Sequence, residues 1–310
     1  MSHLLVVGSV AFDTVETPYG KREFVLGGSA NFFSMSSSFF APVRMVAVVG
    51  EDFPQEHLER LAQRGVDLEG LQRTTGKTFH WTGVYYGEDM NQAHTLDTQL
   101  NVFEHFTPQL PESYRETKTV LLANIDPELQ LKVLEQIKSP RLVACDTMNF
   151  WISGKRMALM KVLEHVDLFL LNEKELKDLS GQRSLLSGVH WLRERGPQII
   201  VVKRGEYGAM LFYRDMIFSA PAFPLEDVRD PTGAGDTFAG GLLGYLADVE
   251  EINELHLRRA MIAGSVMASF VVEQFSCDRL ISLTPDEIQQ RFLAFQKLVH
   301  FDASHELPLR

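Results

Sequence analysis

The apolar positions of the chain fall into short continuous runs and helical stripes, with polar turns between them. Leu4 to Val10 is a valine-rich run of the kind that forms a strand buried on both faces, and Val43 to Val49 repeats it. From Thr119 onward strand-like and helix-like patterns alternate. The predicted strands are Val120–Ala123, Leu142–Cys145, Leu168–Leu171 and Ile199–Val202. The predicted helices between them are Glu128–Ile137, Lys155–His165 and Ser184–Arg195. Such alternation argues for a doubly wound, mostly parallel sheet flanked by helices, an α/β fold. Ala209–Tyr213 and Met216–Ser219, joined by Arg214-Asp215, read as a hairpin at the sheet edge. Gln55–Arg64, Ile252–Glu273 and Pro285–His300 carry apolar residues at helical spacing.

Two stretches break this rhythm. Glu16 to Phe24 is polar around a Pro-Tyr-Gly turn and reads as a hairpin leaving the body. Thr78 to Tyr86 alternates with aromatic residues (Phe79, Trp81, Tyr85, Tyr86), Gly87 to Gln92 is a polar turn, and Thr95 to Val102 alternates weakly. Segments of about 14–27 and 76–104 are therefore expected to form a small β lid inserted in one domain spanning 1–310.

Composition narrows the function. The net charge of −11 removes the basic face that nucleic acid or an anionic membrane would need, so neither is expected as a partner. Cys145 and Cys277 have no paired spacing, and the start at His3-Leu4-Leu5-Val6-Val7 lacks a basic leader, so a cytoplasmic enzyme is expected. No apolar run reaches the ~20 residues that a bilayer requires.

The chemistry concentrates in Asp230-Pro231-Thr232-Gly233-Ala234-Gly235-Asp236-Thr237-Phe238-Ala239-Gly240-Gly241, which opens a helix running to about Leu246. Amides at a helix start lack partners and meet the positive end of the helix dipole, so Gly233, Ala234 and Gly235 form an anion site. A carboxylate placed there repels a merely bound phosphate. It makes sense if Asp236 takes a proton from a hydroxyl while the amides hold a phosphoryl group in transfer.

This string closely resembles the C-terminal signature of the ribokinase-like (PfkB) carbohydrate kinases. The strand ending in Gly50-Glu51-Asp52, with the helix ending in Gly65-Val66-Asp67, resembles their N-terminal one. The resemblance implies an ATP-dependent kinase acting on a small-molecule hydroxyl, with Asp236 as base and Gly233–Gly235 as anion hole. It implies acceptor contacts at Asp13, Gly27, Gly28 and Asn31, to which Asn101 is added as a further polar candidate. Asn172 and Glu175 match the element that organises Mg²⁺, largely through water. Lys203-Arg204-Gly205 stands where relatives carry a Thr and a Gly on the nucleotide phosphates, so ATP is expected at Asn172, Lys203, Gly205, Thr232, Gly233 and Gly235. Asp146 and Asn149 resemble part of a further polar stretch. Asp230 and Thr232 correspond to residues that bind a monovalent cation, K⁺, in some relatives. Lids of this family pair edge to edge, which makes Gln99 to Phe103 the candidate edge for a homodimer.

The acceptor is expected to be a sugar or sugar-like alcohol, because the lid offers little material for a base pocket. The alternative is a nucleoside, with Phe32, Phe33, Trp81 and Tyr85 as slot candidates. A non-catalytic nucleotide or metabolite sensor is the reading from another class, against which Asp236, Asn172 and Glu175 speak.

Overall fold

Every second residue of the central strands faces a different helix layer, and that period organises the molecule. The computed structural model of the protein describes residues 2–87 and 89–300. Its strands are β1 (Leu4–Val7), β2 (Ala11–Thr17), β3 (Gly20–Gly27), β4 (Val43–Val49), β5 (Val66–Arg73), β6 (Phe79–Tyr86) and β7 (Asp89–Gln99), then β8 (Thr119–Leu122), β9 (Leu142–Asp146), β10 (Leu168–Asn172), β11 (Ile199–Lys203), β12 (Ala209–Tyr213) and β13 (Met216–Ala220). Nine of them form one sheet in the order β13-β12-β11-β10-β9-β8-β1-β4-β5. Pairing is parallel from β5 to β11, and the β11-β12-β13 edge is antiparallel.

The helices are α1 (Ser29–Ser37), α2 (Gln55–Gln63), α3 (Pro127–Leu134), α4 (Asn149–Gly154), α5 (Arg156–Leu163), α6 (Glu173–Ser180) and α7 (Leu185–Arg193), followed by α8 (Ala234–Ala247), α9 (Glu254–Val271), α10 (Asp278–Ser282) and α11 (Pro285–Val299). In β1, Leu4 and Val6 belong to the core shared with α1, α8 and α9, whereas Leu5 and Val7 belong to the core of the opposite face, which also takes in α3, α5, α6 and α7. The sheet is thus buried on both faces, and each fully buried Leu or Val contributes about 1.5–3 kcal/mol. Helix α8 is wedged between α1 and α9. A Cβ at Gly240 would meet Phe33 O and Ser36, and one at Gly241 would meet Ala263 O, so only glycine permits this approach.

The smaller sheet has the order β3-β2-β6-β7 and is the lid. It starts slightly earlier than expected. The apolar run from Leu4 is not one strand: β1 stops at Val7, the chain crosses at Gly8-Ser9-Val10, and β2 begins the lid at Ala11. The crossing is tight, since a Cβ at Gly8 would lie 2.8 Å from Ser29 Oγ and 2.9 Å from Ala123 Cβ. β7 also begins earlier than the weak alternation from Thr95 indicated, and Asn101 to His105 is a 3₁₀ turn rather than strand. No described helix is long and apolar enough to cross a membrane.

Candidate active site

The site is assembled where parallel strands end. Asp146, Asn172 and Lys203 are the last residues of three neighbouring strands, β9, β10 and β11, with Asn172 paired to Lys203 in register. Open α/β sheets bind their ligands at this carboxyl edge. The start of α8 lies against the same edge: a Cβ on Gly235 would sit 3.1 Å from Lys203 Nζ.

The turn into α8 has the form an anion hole needs. Gly233, at φ 73°, is in the left-handed region, and a Cβ there would collide with the Phe32 ring. Ala234 N–H turns back to Pro231 O at 3.1 Å, which leaves the amides of Gly233, Gly235 and Asp236 open. No side chain caps the helix. Asp230 staples the loop: its Oδ1 accepts from Thr232 N and its Oδ2 from Ser276 N, each at 2.9 Å.

Four charged side chains share this edge. Lys203 Nζ donates to both oxygens of Asp146, at 2.9 and 3.1 Å. Burial acts against the Lys203 ammonium, but Asp146 and then Glu175 hold its pKa above the ordinary lysine value. Burial pushes the Asp236 carboxyl up to about 7; Asp146 adds to the rise and Lys203 opposes it. Glu175 is likewise raised to about 7 by burial, with Lys203 opposing. A carboxyl poised near neutrality is suited to general-base work.

Asn172 and Glu175 form a reciprocal cap on α6. Asn172 Oδ1 accepts from Glu175 N at 2.8 Å, and Glu175 Oε2 accepts from Asn172 N at 2.6 Å. The pair expected at the metal therefore also builds the helix start, and its remaining polar atoms are what a metal–water shell can use. Arg204 Nε donates to Glu173 Oε2 at 2.9 Å.

The lid closes the other side. Asp13 lies on β2, 5% exposed, and the space it fills exists because residue 27 is glycine: a Cβ there would overlap its carboxylate. Burial raises the Asp13 carboxyl well above its usual range, and the charges of Asp230 and Asp236 raise it further. Gly28, at φ 94°, starts α1. Tyr85 of β6 reaches the loop that leads into α8, its hydroxyl accepting from Thr232 Oγ1 at 3.3 Å. At the far end of the lid, Asn91 Oδ1 accepts from Glu206 N at 2.9 Å and covers Gly205.

Two expected acceptor residues also bond to the scaffold. Asn31 is fully buried (0% exposed), and its Oδ1 accepts from His57 Nε2 at 2.8 Å inside the core. Its Nδ2 has no partner, and the next residue, Phe32, stands against the Gly233 turn. The Asn101 amide donates to Thr78 O at 2.9 Å. Conversely, sequence reasoning gave Asp146 too small a role and named Tyr85 only as a slot candidate. The signal for Asp146 was its place as last residue of an apolar strand.

The comparisons with known proteins point the same way. A family model described as "pfkB family carbohydrate kinase" matches residues 1–283. A cytidine kinase of Thermococcus kodakarensis is 32% identical over 269 residues, 84% of this chain and 95% of that protein. The structure of the Burkholderia thailandensis nucleoside kinase in complex with inosine aligns with a TM-score of 0.78 at 20% identity, over 94% of this chain and 98% of that one. A putative ribokinase II from E. coli, solved with ATP and Mg²⁺, aligns at 0.77 and 19% identity over 95% and 100%. At these identities the two structures speak for the fold.

Proposed function

The chain belongs to the pfkB family of carbohydrate kinases, phosphotransferases that act on alcohol groups, and from that premise we propose that its acceptor is a nucleoside. The observation that carries the transfer is the placement of Asp236, in the first turn of α8 beside open amides and Lys203. Of the two acceptor classes the sequence suggested, the nucleoside has the support of the cytidine kinase at 32% identity.

In this reading the ribose lies between Asp13 and the α8 turn, with one hydroxyl at Asp236. Asp236 takes the hydroxyl proton as the oxygen attacks the γ-phosphorus of ATP. The new O–P bond forms while the bond to the β–γ bridging oxygen breaks, and ADP leaves. The amides of Gly235 and Asp236, the helix dipole and the Lys203 ammonium stabilise charge on the transferring group. Gly205, Lys203 and Thr232 border the nucleotide, and the lid excludes water.

The residues present fit a magnesium–nucleotide complex. Among the described residues no group of three or more His, Cys, Asp or Glu could hold a metal by itself. Magnesium, however, prefers phosphates, waters and one or two carboxylates to an all-protein cage. Beside Asp146, the buried Thr147 Oγ1 and Asn149 Oδ1 have no protein partner, as expected of atoms awaiting a hydrated ligand. Asn172, Glu175 and Asp146 would hold Mg²⁺ through water, where the ion neutralises phosphate charge. A potassium ion at Asp230 would join a carboxylate already accepting two amide protons, and would stiffen the same turn. The lid's outer strands, β3 and β7, offer edges for pairing into a homodimer.

The test is ATP consumption with cytidine, adenosine, inosine, ribose and fructose. A nucleoside should have the highest kcat/KM; a sugar in first place would refute the acceptor assignment.

A further inference from the structure

One aromatic ring on the lid's inner face is used by none of the chemistry above. β2 and β6 are paired in parallel, with Asp13 beside Trp81 and Val15 beside Gly83. Side chains paired across neighbouring strands share a face, and so do residues two apart on one strand. Asp13, Trp81, Gly83 and Tyr85 therefore share one face of the lid. Both ends of that set are tied to the site: Asp13 feels the charges of Asp230 and Asp236, and Tyr85 is bonded to Thr232.

Between them, Trp81 has an unusual posture. Its six-membered ring occupies the space in which a side chain at position 83 would stand, so glycine is required there. Its Nε1 donates to Thr95 Oγ1 at 3.1 Å, and Thr95 is the residue opposite Gly83 on β7. The indole is thus drawn across the sheet instead of rising from it, and it stays partly exposed. Fixing the ring in this way uses up its one donor and leaves its apolar surface. From Gly83 to Tyr85 is one two-residue strand step, roughly 6–7 Å. That is comparable to the span of a ribose between its reacting hydroxyl and its base.

We propose that Trp81, laid over Gly83, is the wall against which the heterocyclic base of the acceptor nucleoside stacks. The proposal rests on the nucleoside reading above and deepens it. Asp13 and Asp236 recognise and activate the hydroxyls; Trp81 selects for a planar ring attached to them. Stacking tolerates any base, because every base has a π face. The site then distinguishes nucleosides from free sugars more sharply than one base from another.

The chain has three tryptophans, and the other two are engaged elsewhere: Trp151 Nε1 donates to Asn124, and Arg195 lies over the Trp191 ring. Intrinsic fluorescence titrated with cytidine or inosine should be quenched in the wild type and in Trp151→Phe, but not in Trp81→Phe. Ribose should quench none of them. In steady-state assays Trp81→Leu should raise the nucleoside KM roughly ten- to hundredfold, the scale of one base–aromatic stack. The KM for ATP should stay within about twofold, and Trp81→Phe should restore most of the nucleoside affinity. Gly83→Val, which displaces the ring without removing it, should resemble Trp81→Leu.

Quenching that survives in Trp81→Phe overturns the platform. So does a Trp81→Leu enzyme whose nucleoside KM is unchanged, or whose KM values for nucleoside and ATP rise alike. In those cases a wild type that still phosphorylates nucleosides keeps the acceptor assignment intact. A wild type that turns over sugars, but neither binds nor phosphorylates any nucleoside, overturns both.

Discussion

The ammonium of Lys203 and the carboxylate of Asp146 are joined through both carboxylate oxygens, at 2.9 and 3.1 Å, directly beside the first turn of α8. This pair tunes the proposed base. Burial pushes the Asp236 carboxyl up to about 7; Asp146 adds to the rise and Lys203 opposes it. The base must be ionised to accept a proton, so kcat/KM should fall about tenfold per pH unit below roughly pH 7. Removing the opposing cation in Lys203→Met should move that inflection to higher pH and raise the KM for ATP. An inflection that stays put in Lys203→Met would detach Lys203 from the base.

Glu175 has two tasks that one substitution separates. A glutamine can still accept the Asn172 N–H and close the α6 cap, but it carries no charge. Glu175→Gln should leave the thermal midpoint nearly unchanged and raise severalfold the Mg²⁺ concentration giving half-maximal rate. An unchanged Mg²⁺ titration would leave Glu175 with the cap alone.

Asn31 should matter for stability and not for the acceptor. Burial lowers the His57 pKa to about 4, so at neutral pH its ring is uncharged and donates Nε2–H to Asn31. Asn31→Ala leaves that donor buried without its partner, at a cost of about 1–3 kcal/mol by chemical denaturation. The acceptor KM should be unaffected. A raised acceptor KM at full stability would return Asn31 to the cleft.

The architecture was readable wherever burial is two-sided. Continuous runs such as Ile199–Val202 can only be interior strands, and the glycines of α8 announce a helix pressed between two others. β5 was harder, because it is the last strand of the sheet and most of its residues are at least partly exposed. Val66-Asp67-Leu68-Glu69 mixes apolar and polar residues without clear alternation, and its sequence reads as the tail of α2. The site divides similarly. The proposed anion hole and Asp236 are contiguous in sequence, so a local pattern is enough to single them out. Lys203 with Asp146, and Tyr85 with Thr232, meet only through strand order and lid closure.

The central claim is that Asp236 is the base of a phosphoryl transfer whose other components bind without it. Asp236→Asn preserves the size of the side chain and the start of α8, and takes away the proton acceptor. The decisive measurement pairs steady-state turnover with calorimetric titration of Mg²⁺·ATP on that variant. The account predicts nucleotide affinity within a fewfold of wild type and kcat lower by about 10²–10⁴. A variant that binds nucleotide normally and keeps near wild-type kcat would contradict it.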